Sequence, residues 1–243
     1  MRGSVALSGR RETGSPTNST SARSSAWCGK GRLYSIDFLA HGAAVTHMRA
    51  NSCHHAGVSP AGRRRCCVLL SGGVDSALVA SLLLNDGWLV RALWVDYGQP
   101  AAPAERIASQ ALAGHDALEW QEAVVGGLMV PPEGEIPGRN DLLVATAHAC
   151  APDWSVAIGV HAEVAYPDCS RAWLSAWQSV LDVQHEGVVA LLAPLAGLRK
   201  PEVLALAHEL QVPMTLTHSC ETGPSPCGQC LSCRDRHDDH AGA

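Results

Sequence analysis

The chain has 243 residues, of which 47% are hydrophobic, and carries a formal net charge of −5. No apolar run nears the roughly 18 residues that a membrane-spanning helix requires, so the composition speaks against a membrane protein. The ten cysteines are unevenly spaced and no apolar signal core precedes them, which speaks against a secreted disulfide framework and for a reducing cytoplasm.

Charge is divided sharply along the chain. Residues 1–65 hold ten Lys/Arg against Glu12 and Asp37, a net of +8, whereas the remainder holds eight against twenty-one, a net of −13. The leading segment is rich in Ser, Arg and Gly and shows no helix or strand period. Three readings stand for it: an organelle transit peptide, a basic nucleic-acid arm around Arg63-Arg64-Arg65, or a bland segment that is either a disordered tail or translated sequence upstream of a true start, with Met48 the candidate initiator. The last is preferred. Cys28, Cys53 and the His54-His55 pair receive no role.

The globular part opens with Cys66-Cys67-Val68-Leu69-Leu70, a buried strand broken by Ser71-Gly72-Gly73, followed by a helix over Asp75–Leu84 that stops at Gly87. A strand, a glycine turn and a helix N-terminus aim backbone N–H groups and the positive end of a dipole at one point. That is an anion site, and phosphate is its usual occupant. A Walker loop is excluded, because no lysine lies between Lys30 and Lys200, and the spacing of a dinucleotide fingerprint is absent as well. Ser-Gly-Gly-x-Asp-Ser after a strand resembles the PP-loop of ATP pyrophosphatases. The resemblance implies ATP along Leu70, Ser71, Gly72, Gly73, Val74, Asp75, Ser76 and Ala77. Ser71, Ser76 and the glycine amides would hold the departing pyrophosphate, and Asp75 would help hold Mg²⁺. The bland reading is a glycine turn with Asp75 as a helix cap.

A second strand over 88–95 leads into Asp96-Tyr97-Gly98-Gln99, a helix covers 104–113, and a third strand covers 117–125. Strands alternating with helices require right-handed crossovers and a parallel sheet, whose ligands collect at the carboxyl ends of the strands. Residues 126–137 form a Pro/Gly-rich loop that could serve as a lid. Pro137-Gly138-Arg139-Asn140 precedes a helix over 142–150, where Arg139 suits a phosphate or carboxylate and Asn140 could equally be a helix cap. A fourth strand over 154–160 opens into a polar loop that ends in Tyr166-Pro167-Asp168-Cys169, with a helix from Ser170. Asp168 suits an amidine-like substrate edge, or it caps the helix. Cys169 lacks a partner base and is rejected as a nucleophile. A fifth strand over 188–192 is followed by Pro194-Leu195 and a helix beginning near Lys200-Pro201, with Lys200 a candidate phosphate contact.

Near the C-terminus, Cys220, Cys227, Cys230 and Cys233 place four thiols within fourteen residues. Four thiolates at tetrahedral geometry suit Zn²⁺ in a closed, structural site; an iron–sulfur cluster is the second choice and disulfides the third.

Taken in order, Ser71-Gly72-Gly73-Val74-Asp75-Ser76, Asp96-Tyr97-Gly98-Gln99, Pro137-Gly138-Arg139-Asn140, Tyr166-Pro167-Asp168-Cys169, Pro194-Leu195 with Lys200, and the Cys220…Cys233 tail resemble the 7-cyano-7-deazaguanine synthase (QueC) family over residues 66–236. The resemblance implies a doubly wound α/β sheet of five mostly parallel strands over 66–215, with a four-cysteine zinc tail over 216–243. It implies ATP-dependent conversion of 7-carboxy-7-deazaguanine and ammonia to the nitrile through an acyl-adenylate and an amide, with ATP, Mg²⁺ and Zn²⁺ bound. Asp75, Ser76 and Lys200 would be catalytic, Asp96 and Gly98 would touch ATP, and Arg139, Asn140, Tyr166 and Asp168 would touch the acceptor. No membrane or nucleic-acid partner follows, and a homodimer is compatible with the pattern. Pro100-Ala101-Ala102 stands where the family carries basic residues. The loop before Tyr166 and the segment before Gly138 are short, and Glu221 replaces an aromatic. These departures surround the acceptor pocket. The second reading is therefore a PP-loop enzyme that adenylates another carboxylate or a tRNA, and the third is a non-catalytic, zinc-clamped nucleotide binder.

Overall fold

A computed structural model describes residues 22–28, 32–38, 48–49, 62–162 and 164–241, the first three stretches at backbone level. The central strand is β4 (Arg65–Leu69), flanked by β5 (Leu89–Asp96) and β7 (Ser155–Ala157), with β6 (Glu119–Val124) outside β5 and β8 (Leu191–Ala193) outside β7. All four pairings are parallel. Chain direction across the sheet therefore reverses beside β4, and the crevice at that reversal lies between the carboxyl ends of β4 and β7.

The strands are apolar on both faces because helices cover both. Cys66, Val68 and Leu70 point into a core shared with α1 (Val74–Asn85), α2 (Ala102–His115) and α5 (Lys200–Glu209). Cys67 and Leu69 alternate into a second core against α3 (Arg139–Cys150) and α4 (Arg171–His185). This is why β4 reads as an unbroken apolar run rather than as an alternation. Burial pushes the Cys66 thiol well up and the Cys67 thiol up to about 12, so both behave as core hydrophobes rather than as ligands.

The five-stranded parallel sheet expected from the sequence is present, with element ends shifted by a few residues. The third strand begins at Glu119 rather than Ala117, because Ala117 takes a left-handed turn (φ 53°). Helix α3 begins at Arg139, three residues earlier than its apolar run suggests. A sixth helix, α6 (Leu231–Ala241), ends the described chain; its polar residues carry no apolar period to announce it.

Three further strands lie in the leading segment: β1 (Ala22–Cys28), β2 (Arg32–Phe38) and β3 (Met48–Arg49). They extend the sheet antiparallel beyond β8, through Trp27↔Ala193 and Cys28↔Leu192. The Ser- and Arg-rich β1 and the two-residue β3 carry no two-residue apolar period, and only the short alternation Tyr34-Ser35-Ile36-Asp37-Phe38 in β2 announces a strand here. The remainder of the leader, with Cys53 and His54-His55, lies outside the described residues. Among the described residues no helix is long and apolar enough to cross a membrane.

Candidate functional site

Strand β4 ends at the Ser71-Gly72-Gly73 turn, and two close approaches fix that turn in place. Gly72 takes a left-handed conformation (φ +89°), and a Cβ there would meet the Glu105 carbonyl oxygen and the Ala108 Cβ of α2 at 2.8 Å. Gly159, at the end of β7, passes so near the start of α1 that a Cβ would lie 3.1 Å from the Asp75 carbonyl carbon and the Ser76 nitrogen. Only glycine permits both contacts. Within the turn the Ser71 and Ser76 hydroxyls lie 3.2 Å apart, and Ser76 Oγ donates to the Gly73 carbonyl at 2.9 Å. Lys200, the first residue of α5, donates to Asp75 Oδ1 at 2.6 Å across 125 residues of sequence. Glu202 receives the Arg199 backbone N–H at 2.7 Å, closing the α5 N-terminus and fixing the lysine's root. His161 Nδ1 bonds the Ala162 carbonyl at 2.7 Å, and its Nε2 stands 4.0 Å from Asp75 Oδ2.

Above this cradle opens a cavity of about 470 Å³. Ser71, Gly73, Val74, Asp75, Ser76, Arg139, Asn140, Tyr166 and Lys200 all line it, so residues from Ser71 to Lys200, far apart in sequence, meet at one place. Its apolar shelf comes from Leu69, Leu93, Val95, Leu143 and Ile158. Leu70 and Ala77, expected at the nucleotide, are buried behind the turn. Asp96 is turned back on its own loop, accepting the Gly98 N–H at 2.9 Å, and neither residue lines the cavity.

The Gly-Arg-Asn and Tyr-Pro-Asp-Cys motifs form a different kind of structure. Asp168 Oδ2 accepts the Asn140 backbone N–H at 3.0 Å, while the Asp168 carbonyl accepts from Asn140 Nδ2 at 2.9 Å. The carboxylate thereby caps α3 from a distance, satisfying an N–H the helix itself cannot pair. Asp168 does not line the cavity, so its observed contacts are those of a cap. Asp141 accepts both the Trp173 and Trp177 indole N–H groups, at 2.7 and 2.6 Å, and ties α3 to α4. Burial works against the Arg139 charge, but the surrounding Tyr97, Asp168 and Cys169 more than offset it, and its pKa is raised. Burial pushes the Cys169 thiol up, which agrees with rejecting it as a nucleophile. The Tyr166 hydroxyl donates to Glu135, tethering the 126–137 loop to the Tyr-Pro-Asp-Cys segment.

Several cavity contacts carry no sequence signal, even where a motif includes the residue, as with Gln99. Gln99 accepts the Tyr97 N–H through Oε1 at 2.9 Å and donates to the Val95 carbonyl at 3.1 Å and to Glu105 Oε2 at 2.7 Å. Burial raises the pKa of Glu105. His218 donates its backbone N–H to the Gly72 carbonyl at 2.9 Å, joining the tail to the cradle. These contacts depend on topology, and no motif spacing encodes them.

The four cysteine sulfurs of the tail lie within 4.8 Å of one another and could hold a metal ion. Sulfurs this close suit a single ion, since the thiolates of a cluster bind different irons and spread farther apart. Hydrogen bonds from the Thr222 hydroxyl and from the Cys230 and Gln229 amides hold the Cys227 thiol down to about 5, while burial pushes Cys230 up to about 12. Cys220, Glu221, Leu231 and Ser232 also line the cavity, so the cysteine site is part of its wall and not a remote clamp.

The likeness to known proteins is specific. The family model for "Queuosine biosynthesis protein QueC" matches residues 109–242. The 7-cyano-7-deazaguanine synthase of Frankia casuarinae is 34% identical over 68% of this chain and 85% of its own length. That of a Synechococcus strain is 34% identical over 72% and 91%, and that of Methanothermobacter thermautotrophicus 31% over 71% and 92%. This chain belongs to the QueC family. Among solved structures, NMN synthetase from Francisella tularensis superposes with a TM-score of 0.45 at 19% identity, covering 72% of this chain and 75% of that one. The U34-tRNA thiolase NcsA from Methanococcus maripaludis superposes with a TM-score of 0.47 at 17% identity, covering 76% and 69%.

Proposed function

We propose that this QueC-family chain is an ATP-dependent carbon–nitrogen ligase that converts 7-carboxy-7-deazaguanine and ammonia to 7-cyano-7-deazaguanine. The observation that carries the reading is the serine–glycine cradle with Lys200 bonded to Asp75 at its mouth, opening on a cavity walled by the family's acceptor motifs. An acceptor carboxylate oxygen attacks the α-phosphorus of ATP, the bond to the bridging oxygen breaks, and pyrophosphate departs into the cradle. Ammonia then forms the C–N bond, AMP leaves with the C–O pair, and a proton is lost. In a second round the amide oxygen attacks a second ATP, and loss of AMP and the remaining N–H protons leaves the nitrile.

The chain's own part in this is alignment and charge. The Gly72–Ser76 amides and hydroxyls face the pyrophosphate, and Lys200 supplies a cation that Asp75 holds in position. The apolar shelf of Leu69, Leu93 and Val95 suits the adenine ring. Arg139 and Tyr166 lie on the acceptor side. Asp75 Oδ2 is not taken by Lys200, and one carboxylate together with ATP phosphate oxygens is an ordinary set for Mg²⁺, which neutralises pyrophosphate charge when bound. Zn²⁺ at Cys220, Cys227, Cys230 and Cys233 would brace the cavity wall. We assign residues 66–215 to the ATP-binding unit and 216–243 to the metal-braced segment. A reducing, cytoplasmic setting would keep the thiols available.

Incubation of the full chain with ATP, Mg²⁺, ammonium and 7-carboxy-7-deazaguanine should give the nitrile with two AMP for each molecule formed. AMP production that needs tRNA instead, or ATP binding without turnover, would overturn the reading.

A further inference from the structure

The cavity holds a carboxyl group that the proposed reaction does not use. Glu105 sits in the first turn of α2, directly behind the cradle, and its backbone carbonyl is what forbids a side chain at Gly72. Its side chain is held in one orientation. Gln99 donates to Oε2 at 2.7 Å and is itself locked by the Val95 carbonyl and the Tyr97 N–H, while the buried Trp94 indole (2% exposed) lies alongside. Among the described residues none donates a well-formed hydrogen bond to Oε1, the Trp94 indole N–H included, and Glu105 lines the cavity.

The other acidic groups near the cavity are differently occupied. Asp75 bonds Lys200, Asp168 caps α3, and the exposed Glu221 accepts the Ser232 hydroxyl at 2.5 Å. Among the described residues no hydrogen bond orients Asp235. Glu105 alone combines a fixed orientation, partial burial and an oxygen open to a ligand. Burial raises its pKa and outweighs the Gln99 donor, the nearby Trp94 indole and the charges of His218 and Arg139, so further donors from a ligand would favour the ionised form.

We propose that Glu105 is the specificity-determining residue for the acceptor, its carboxylate receiving the ring N–H and 2-amino group of a 2-amino-4-oxo-pyrimidine edge. This rests on the acceptor reading above and deepens it. A carboxylate presents acceptors only, and that edge presents two adjacent donors. Adenine presents a donor beside an acceptor nitrogen, so its edge would set one lone pair against a carboxylate oxygen. The apolar shelf of the cavity has no such demand and accommodates the adenine of ATP. Gln99 is a positioning residue that keeps Glu105 aimed without touching the ligand.

The test compares binding of 7-cyano-7-deazaguanine with its analogue lacking the 2-amino group, by titration calorimetry, and measures KM for both substrates. Wild type should prefer the 2-amino compound by about ten- to hundredfold. Glu105→Gln should abolish most of that preference and raise KM for 7-carboxy-7-deazaguanine by a similar factor, leaving KM for ATP within about twofold. Glu105→Asp, which keeps the charge, should retain a weaker preference and serves if the glutamine variant does not fold. Equal binding of the two compounds by wild type, an undiminished preference in Glu105→Gln, or a rise in the KM for ATP would overturn the assignment of Glu105. Failure of wild type to turn over 7-carboxy-7-deazaguanine at all would instead overturn the functional reading, and this assignment with it.

Discussion

The nucleotide cradle and the acceptor wall border the same cavity but are built on opposite principles. The cradle is local. Ser71 to Ser76 are contiguous and bond within the turn through the two serine hydroxyls and the Gly73 N–H, while Lys200 and the His218 N–H arrive from far along the chain. The acceptor wall is assembled from α3, the Tyr-Pro-Asp-Cys segment, α2 and the cysteine tail, which meet only after the sheet has formed. A local device tolerates change elsewhere, whereas a wall built from four distant pieces can be reshaped by a shortened loop in any one of them.

Loss of the metal should separate the two regions most strongly. Removing a ligand from a structural thiolate site costs well over about 3 kcal/mol of local folding free energy. Cys230→Ser should therefore lower Tm by on the order of 10 °C and abolish stoichiometric zinc, with acceptor turnover lost before ATP binding. Intact acceptor turnover in a metal-free protein would show that the tail is not part of the wall. Gly72→Ala attacks the cradle itself. At φ +89° and 2.8 Å from the Glu105 carbonyl, an added methyl should cost about 1–3 kcal/mol and weaken ATP use, as read by calorimetry and pyrophosphate release.

The contrast also explains what can be read from residues alone. The parallel sheet, the Ser-Gly-Gly-x-Asp-Ser turn and the four-cysteine tail are legible because each depends on near neighbours: an apolar run, a glycine pair, a two-residue thiol spacing. The Lys200–Asp75 bond can be anticipated only as a lone lysine at a helix start. Glu105 is invisible, since an acid in the first turn of a helix is commonplace and only the packing of α2 against Gly72 gives it a place; Gln99 is visible in its motif, but its bond to Glu105 is not. Asp168 leaves two readings open in the sequence, a substrate contact or a helix cap, and its carboxylate here holds the Asn140 N–H and does not line the cavity. Strands β1 to β3 escape notice because β1 is Ser- and Arg-rich, β3 is two residues long, and the alternation in β2 spans only Tyr34 to Phe38 within a polar leader.

A smaller effect follows from that bond. Asp168→Asn keeps the shape but removes the charge from a hydrogen bond to the α3 N-terminus, and should cost about 1–2 kcal/mol in thermal denaturation. It should raise KM for the acceptor more than for ATP; an equal rise in both would mean that α3 supports the cradle as well. The smallest effect concerns the root of Lys200. The Arg199 backbone N–H, followed by its side chain, holds the Glu202 carboxyl below its usual value. A lowered folded-state pKa contributes stability that is present above the ordinary carboxylate range of about 4.3 and is lost as pH falls through the folded value. Wild type should thus be slightly more stable than Glu202→Gln at pH 7, with the two Tm curves converging as pH falls through the lowered folded-state value. Curves that stay parallel would mean that the ionised carboxylate does nothing for α5.

The central claim is that the Ser71–Ser76 turn, with Lys200, grips the pyrophosphate that ATP sheds. Acceptor-dependent pyrophosphate release, measured side by side in wild type and in an Asp75→Ala, Ser76→Ala double variant of confirmed fold, tests it directly. The account predicts a fall of roughly 10²- to 10³-fold in the variant. Undiminished release would contradict it.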